Sequence, residues 1–181
     1  DLRERRILVW GSAAIFVAGW ADVSVKNVSE TLFLKRIGVE FLPLAFLANA
    51  FVLMGTTSLL SALSARVDPL RLFTQALTGL AALLAVLWLA VGFGGDAAYP
   101  LLLMASKQIG TISLISFSGA MAALIDPRKA KRLLPPLLAG QTLGEILGSF
   151  ASGPMGRLLD VDGLLPLAAV LLLLGAAATL P

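Results

Sequence analysis

Residues 97–125 read AAYPLLLMASKQIGTISLISFSGAMAALI, an apolar and small-residue run that holds one charged side chain, Lys107. A helix crosses the hydrocarbon layer of a bilayer with about 20 mostly apolar residues, so this run reads as a membrane span with a lysine inside it. The rest of the 181-residue chain agrees: 58% of it is hydrophobic, 14% is charged and the mean hydropathy is +0.91. A soluble domain carries about 25% charged residues. Five more segments have the length and character of spans, at 7–30, 40–63, 70–93, 133–152 and 164–180. The expected fold is therefore all-α: one domain over 1–181 with six transmembrane helices. The turns between them are marked by Arg66-Val67-Asp68-Pro69, Gly92-Phe93-Gly94-Gly95-Asp96, Asp126-Pro127-Arg128 and Asp160-Val161-Asp162-Gly163. The first junction, 33–39, is the least sharply punctuated.

Composition also narrows the function. The chain has no Cys and no His, which removes disulfides, thiolate ligands, the commonest metal ligand and the commonest general base. No nucleophile–base pair or metal cluster stands out, so neither an enzyme nor a cofactor is expected. Asp160 and Asp162 read as turn formers. A net charge of +3 is too small for a nucleic-acid partner. With the N-terminus inside, the cytoplasmic side holds Arg3, Arg5, Arg6, Arg66, Arg71, Arg128, Lys129, Lys131 and Arg132, against Lys35, Arg36 and Arg157 outside. This asymmetry puts both termini in the cytoplasm. The Ala/Leu/Gly/Arg-rich, Lys-poor composition points to a bacterial inner membrane.

Ionisable residues inside a membrane face a bundle interior or a water-filled cavity. At 1.5 Å per residue, Lys107 lies roughly 15 Å from the outer end of span four, and Glu145 roughly 18 Å from the inner end of span five. That common level suggests an ion pair between adjacent helices, serving either to fix helix register or to bind solute and coupling ion. Gly110, Thr111 and Ser118 share the face of Lys107; Gln141, Gly148 and Ser152 share that of Glu145. Asp22, Lys26 and Glu30 follow at i, i+4 and i+8 on span one, with Lys26 and Glu30 at or beyond the outer interface. Asp22 and the mid-span Asn49 are further candidates for a cavity. Gly140, Gly144 and Gly148 form a small-xxx-small face suited to close packing. Gly153-Pro154-Met155-Gly156 is expected to break or bend the fifth helix.

Six spans with both ends inside, a basic central loop and polar residues on spans one, two, four and five resemble the N-terminal half of a major facilitator superfamily transporter. Gly144…Gly148…Gly153-Pro154-Met155-Gly156 is similar to the glycine-proline signature on the fifth helix of antiporters in that superfamily. Ser61…Arg66-Val67-Asp68-Pro69-Leu70-Arg71 sits where the superfamily has a Gly-rich Asp-Arg loop; the glycines are missing here and Ala65 replaces the Asp. Asp22-Val23-Ser24-Val25-Lys26-Asn27 and Asp126-Pro127-Arg128-Lys129-Ala130-Lys131-Arg132-Leu133 resemble the bacterial and plastid ATP/ADP antiporter branch. The resemblance implies a 3+3 inverted repeat, alternating access, an anionic solute and solute-handling roles for Lys107 and Glu145. It also implies a partner in the bilayer: a second half, a second copy or a larger complex. The alternative is a non-transporting subunit or anchor docked on a larger membrane assembly.

Overall fold

In a computed structural model the backbone is described at residues 2–95, 97–158 and 160–178, and nearly all of it is helical. The elements are α1 (Leu2–Arg36), a 3-10 turn at Val39–Phe41, α2 (Leu42–Ser64), α3 (Pro69–Gly92), α4 (Ala98–Leu124), α5 (Pro127–Leu158) and α6 (Asp160–Ala178). Local chemistry sets the junctions. The Phe33 carbonyl accepts from the Ile37 and Gly38 amides, and Gly38 adopts φ 106°, which an L side chain rarely tolerates. Leu32–Leu34 thus continue α1, and the unclear junction falls at Ile37–Gly38. Pro69 opens α3 behind Asp68, and Asp126 precedes Pro127 at the start of α5. There the Asp126 carbonyl accepts from the amides of Lys129 and Ala130.

Four segments are long and apolar enough to cross a membrane: Ile7–Arg36, Val39–Ser64, Pro69–Gly92 and Ala98–Leu124. The chain is a helical membrane protein. The expected six spans correspond to six helices, but among the described residues only these four carry the full hydropathy signal. α5 is diluted by its basic first turn, Gln141, Glu145 and repeated glycines, and the apolar stretch of α6, Gly163–Ala178, is short. α5 runs from Pro127 to Leu158, well beyond 133–152 at both ends. Gly153-Pro154-Met155-Gly156 does not break it: the helix continues through Pro154, which removes one backbone donor without ending the run.

α1 is the centre of the bundle. Its flanks pack on α5, α6 and α4, while α3 closes the far side against α4 and α6. Buried Ile15, Val25, Leu77, Leu102, Phe117, Leu137, Leu165 and Leu172 belong to one core drawn from five of the helices. Phe73 meets Phe117 edge-on at 5.5 Å between ring centres, joining α3 to α4. α2 stands apart. It packs mainly on α4 through the small cluster of Phe33, Ala45 and Leu103, and barely touches α3. An apolar cleft of about 270 Å³ remains between α2 and α3, lined by Leu60, Leu63, Leu72, Leu80, Leu83 and Ile112.

The glycine face of α5 makes the closest helix contact in the bundle. A Cβ at Gly144 would lie 2.0 Å from the Phe16 carbonyl oxygen, and one at Gly148 2.5 Å from Val23 Cγ1. One at Gly140 would lie 3.0 Å from the Ser12 carbonyl, and from α1 a Cβ at Gly19 would lie 2.5 Å from the Gln141 carbonyl. Lipid tails are as apolar as leucine, so burial gives little drive for helix pairing and close backbone packing carries it. Gly153 has no neighbour within 4 Å of such a Cβ and takes no part in this seam.

This packing predicts that Gly144→Ala lowers stability by about 1–3 kcal/mol, because the backbones must separate. Gly55→Ala, at a site on α2 with open space around it, is expected to leave stability unchanged. Thermal unfolding in detergent, followed by circular dichroism, compares the two.

Candidate functional site

The glycine contacts also fix the relative levels of the polar groups on α1, α4 and α5. Ser12, Phe16 and Trp20 of α1 meet Gly140, Gly144 and Gly148 of α5 in order, so those two helices run parallel. Gly11 meets Met121 and Phe117, and Asp22 meets Gly110, so α1 and α4 run antiparallel. By this register Lys107 lies level with about residue 25 of α1 and Glu145 with about residue 17, roughly 12 Å apart along the axis.

The expected Lys107–Glu145 pair is accordingly not formed. α1 stands between α4 and α5, which scarcely touch, and the two side chains sit at different heights. Lys107 instead reaches towards the C-terminal end of α1 and pairs with Glu30. Its ammonium also lies 5.7 Å from the centre of the Phe46 ring, so α1, α2 and α4 meet at this one cation. Glu145 accepts from Gln141 Nε2 at 3.0 Å, within α5.

On α1 the i, i+4, i+8 series divides. Lys26 Nζ donates to Asp22 Oδ2 at 2.5 Å, as an i,i+4 pair should, but Glu30 turns to α4 rather than continuing the ladder. Asp22 is 2% exposed and presses its carboxylate into the space that a side chain at Gly110 would occupy, 2.8 Å from Oδ2. Its Oδ1 has no hydrogen-bond partner, and neither has the buried Ser113 Oγ. Towards the C-terminal end of α1, Asn27 Nδ2 donates to Ser152 Oγ at 3.2 Å, tying α1 to α5, and the Arg36 guanidinium lies 5.9 Å from the Tyr99 ring centre.

Asn49 has a specific partner that the sequence reading passed over. Gln108 Nε2 donates to Asn49 Oδ1 at 2.9 Å, while Thr56 Oγ1 donates to Gln108 Oε1 at 2.8 Å. Gln108 is buried, and these bonds are the polar fastening of α2 to the bundle. The signal was its place beside Lys107: consecutive helix positions point about 100° apart, so one reaches α1 while the other reaches α2.

Comparison with known proteins gives no relative. No family model matches the chain, and no curated protein or solved structure is significantly similar to it. The site's chemistry therefore rests on its own geometry.

That geometry is a band of polar groups along one side of the bundle. Lys26 and Lys107 are 33% and 21% exposed and Glu30 is 46% exposed, while Asn27 and Thr31 are exposed. They lie where α1 is left uncovered between α4 and α5, with α2 alongside. Among the described residues no group of three or more acidic side chains is placed to hold a metal ion. The side chains of Arg157, Asp160 and Asp162 lie outside the described residues, as do those of Arg3, Arg5 and Arg6.

The Lys107–Glu30 pair predicts a charge-swap result. Glu30→Lys alone sets three cations side by side and is expected to lower the unfolding temperature. Adding Lys107→Glu restores the pairing and recovers most of the loss, as measured for the single and double variants in the same detergent.

Proposed function

We propose that this domain is one half of a secondary transporter, with the face shared by α1, α2, α4 and α5 lining a solute pathway. The observation that carries this reading is the set of half-exposed charges, Lys26, Glu30 and Lys107, within helices apolar enough to span a bilayer. A charge facing lipid is costly, so such a face belongs against water or protein. The order of helix packing lends support. α1 pairs with α5 and α6 as α4 pairs with α2 and α3, while α1–α4 and α3–α6 map onto themselves. A 3+3 inverted repeat with six crossings has this pattern. The basic residues assign both termini to the cytoplasm, and composition favours a bacterial inner membrane.

In this reading Lys107 holds the anionic group of the solute. The bound anion competes with Glu30 for the ammonium, and Phe46 keeps the lysine stem in place. The resemblance to ATP/ADP antiporters makes a nucleotide the first solute to test. Alternating access then consists of rocking this half against a second half or a second copy, with the α1–α5 seam moving as a rigid unit. Asn49 and Gln108 hold α2 at the edge of the pathway, and Gln141 with Glu145 lies at its inner part.

A second reading follows from the apolar ridges that flank the polar band. Phe46, Phe51 and Met54 on α2 and Ile146, Leu147 and Phe150 on α5 are exposed. They also suit a non-transporting subunit or anchor seated on a larger membrane complex.

Nucleotide exchange in proteoliposomes separates the two. Loss of a charge-assisted contact worth about 2 kcal/mol predicts a roughly 30-fold weaker apparent affinity in Lys107→Ala. The same variant is expected to insert and fold. Wild-type exchange by Lys107→Ala removes the lysine from the pathway. If wild-type protein shows no flux with any anion and co-purifies in fixed ratio with a foreign membrane protein, the anchor reading holds.

A further inference from the structure

α2 and α3 are joined by a short turn, in which the Leu63 carbonyl accepts from the amides of Arg66 and Val67. Antiparallel helices linked so tightly usually pack along their length, yet these two barely touch. Each is drawn elsewhere: α3 packs on α4 and α6, and α2 is fastened to α4 by Asn49, Thr56 and Gln108. The result is the cleft of about 270 Å³, walled by Leu60 and Leu63 of α2 and by Leu72, Leu80 and Leu83 of α3, with Ile112 of α4 between them. Gly79 adds no side chain to it, and a Cβ there would meet nothing within 4 Å. A closed apolar cavity of roughly 150 Å³ is enough to hold benzene. This cleft is larger, and its exposed rim at Leu63, Gly79 and Leu83 opens to the surroundings of the bundle.

In a bilayer those surroundings are acyl chains. An unfilled apolar cleft forfeits dispersion contacts along both walls, so a hydrocarbon chain is its natural guest. The mouth of the cleft adds a second, independent feature. Gln75 is the one polar side chain that lines it, and Arg71 lies one helical turn before Gln75 on the same face of α3. Arg66 follows Leu63 in the turn. Both arginines are exposed, and among the described residues neither belongs to an ion pair. Asp68 is the one carboxylate of the junction, so two cations face one anion there and an excess positive charge remains. A guanidinium matches a phosphate with paired N–H donors, and basic pockets between spans suit anionic head groups. A zwitterionic head group brings its own cation beside the phosphate and gains less.

We propose that the α2–α3 cleft binds one anionic phospholipid, with an acyl chain between the two helices and the phosphate on Arg66 and Arg71. The lipid then supplies the packing that α3 does not give to α2. This inference does not depend on transport, since it follows from the cleft, the two arginines and the membrane-spanning helices around them.

Native mass spectrometry of the full chain tests it, with the protein titrated in neutral detergent with phosphatidylglycerol or phosphatidylcholine of the same acyl chains. The wild type is expected to hold one phosphatidylglycerol per chain in preference to phosphatidylcholine. Arg66→Ala combined with Arg71→Ala is expected to weaken phosphatidylglycerol binding roughly 30-fold and to remove the preference. Gly79→Leu fills the cleft from a position with open space, so it is expected to keep the helical circular dichroism spectrum and to lose the lipid although both arginines remain. Arg128→Ala combined with Arg132→Ala removes the same charge from the start of α5 and is expected to bind as the wild type does. Equal binding of the two lipids by the wild type overturns the proposal, as does a loss in the α5 variant as large as that in the α2–α3 variant. Lipid retained in full by Gly79→Leu would place it on the basic surface alone and overturn the cleft. A wild-type dimer that Gly79→Leu dissociates would make a second copy the occupant and overturn the lipid.

Discussion

The backbone contact between α1 and α5 sets the rest of the arrangement. Gly19 on one helix and Gly140, Gly144 and Gly148 on the other let the main chains approach until carbonyl oxygens stand where side chains would otherwise be. In a bilayer this close packing does what burial from water does in a soluble core. It fixes the two helices in parallel register, and Asp22 seated at Gly110 sets the antiparallel register of α4. Once those two registers exist, every polar side chain on the three helices has an assigned height.

The heights account for the chemistry. Lys107 is too far along the axis towards the C-terminal end of α1 to reach Glu145 and pairs with Glu30. Asp22 keeps Lys26, and Glu145 is left with an amide. The site is thus two ion pairs towards the C-terminal end of α1 and an acid bonded only to an amide nearer its N-terminal end, rather than one Lys–Glu pair. Of these five charged groups only Asp22 is fully buried; the other four are partly exposed along the band. α2 enters differently. It contributes little to the main core and is fastened by the Asn49–Gln108–Thr56 bonds, with the apolar cleft to α3 behind it.

Much of the fold was legible because hydropathy and turn residues act locally. The ends of α2, α3 and α4 fall within two residues of the expected spans, and the small-xxx-small face of α5 is the tight seam it was read to be. α5 was underestimated in length because its first turn is charged and its last turns contain Pro154, although neither feature stops the helix. The identity of the charged residues was visible as well; their pairing was not. Depth estimated from the end of each segment assumes that helices start level and stand side by side. α5 starts at Pro127 rather than 133, and α1 stands between it and α4. Gln108 escaped notice because an uncharged amide in an apolar run gives no signal until its helix neighbour is known.

The decisive measurement is the accessibility of the polar band, made simple by a chain that has no native cysteine. Asn27→Cys lies on the band, and Val86→Cys lies on the exposed apolar surface of α3. In native membranes the account predicts that a bulky, membrane-impermeant maleimide labels the first, while only a lipid-soluble reagent reaches the second. Labelling of Asn27→Cys by the lipid-soluble reagent alone would put the charged face against hydrocarbon and contradict the account.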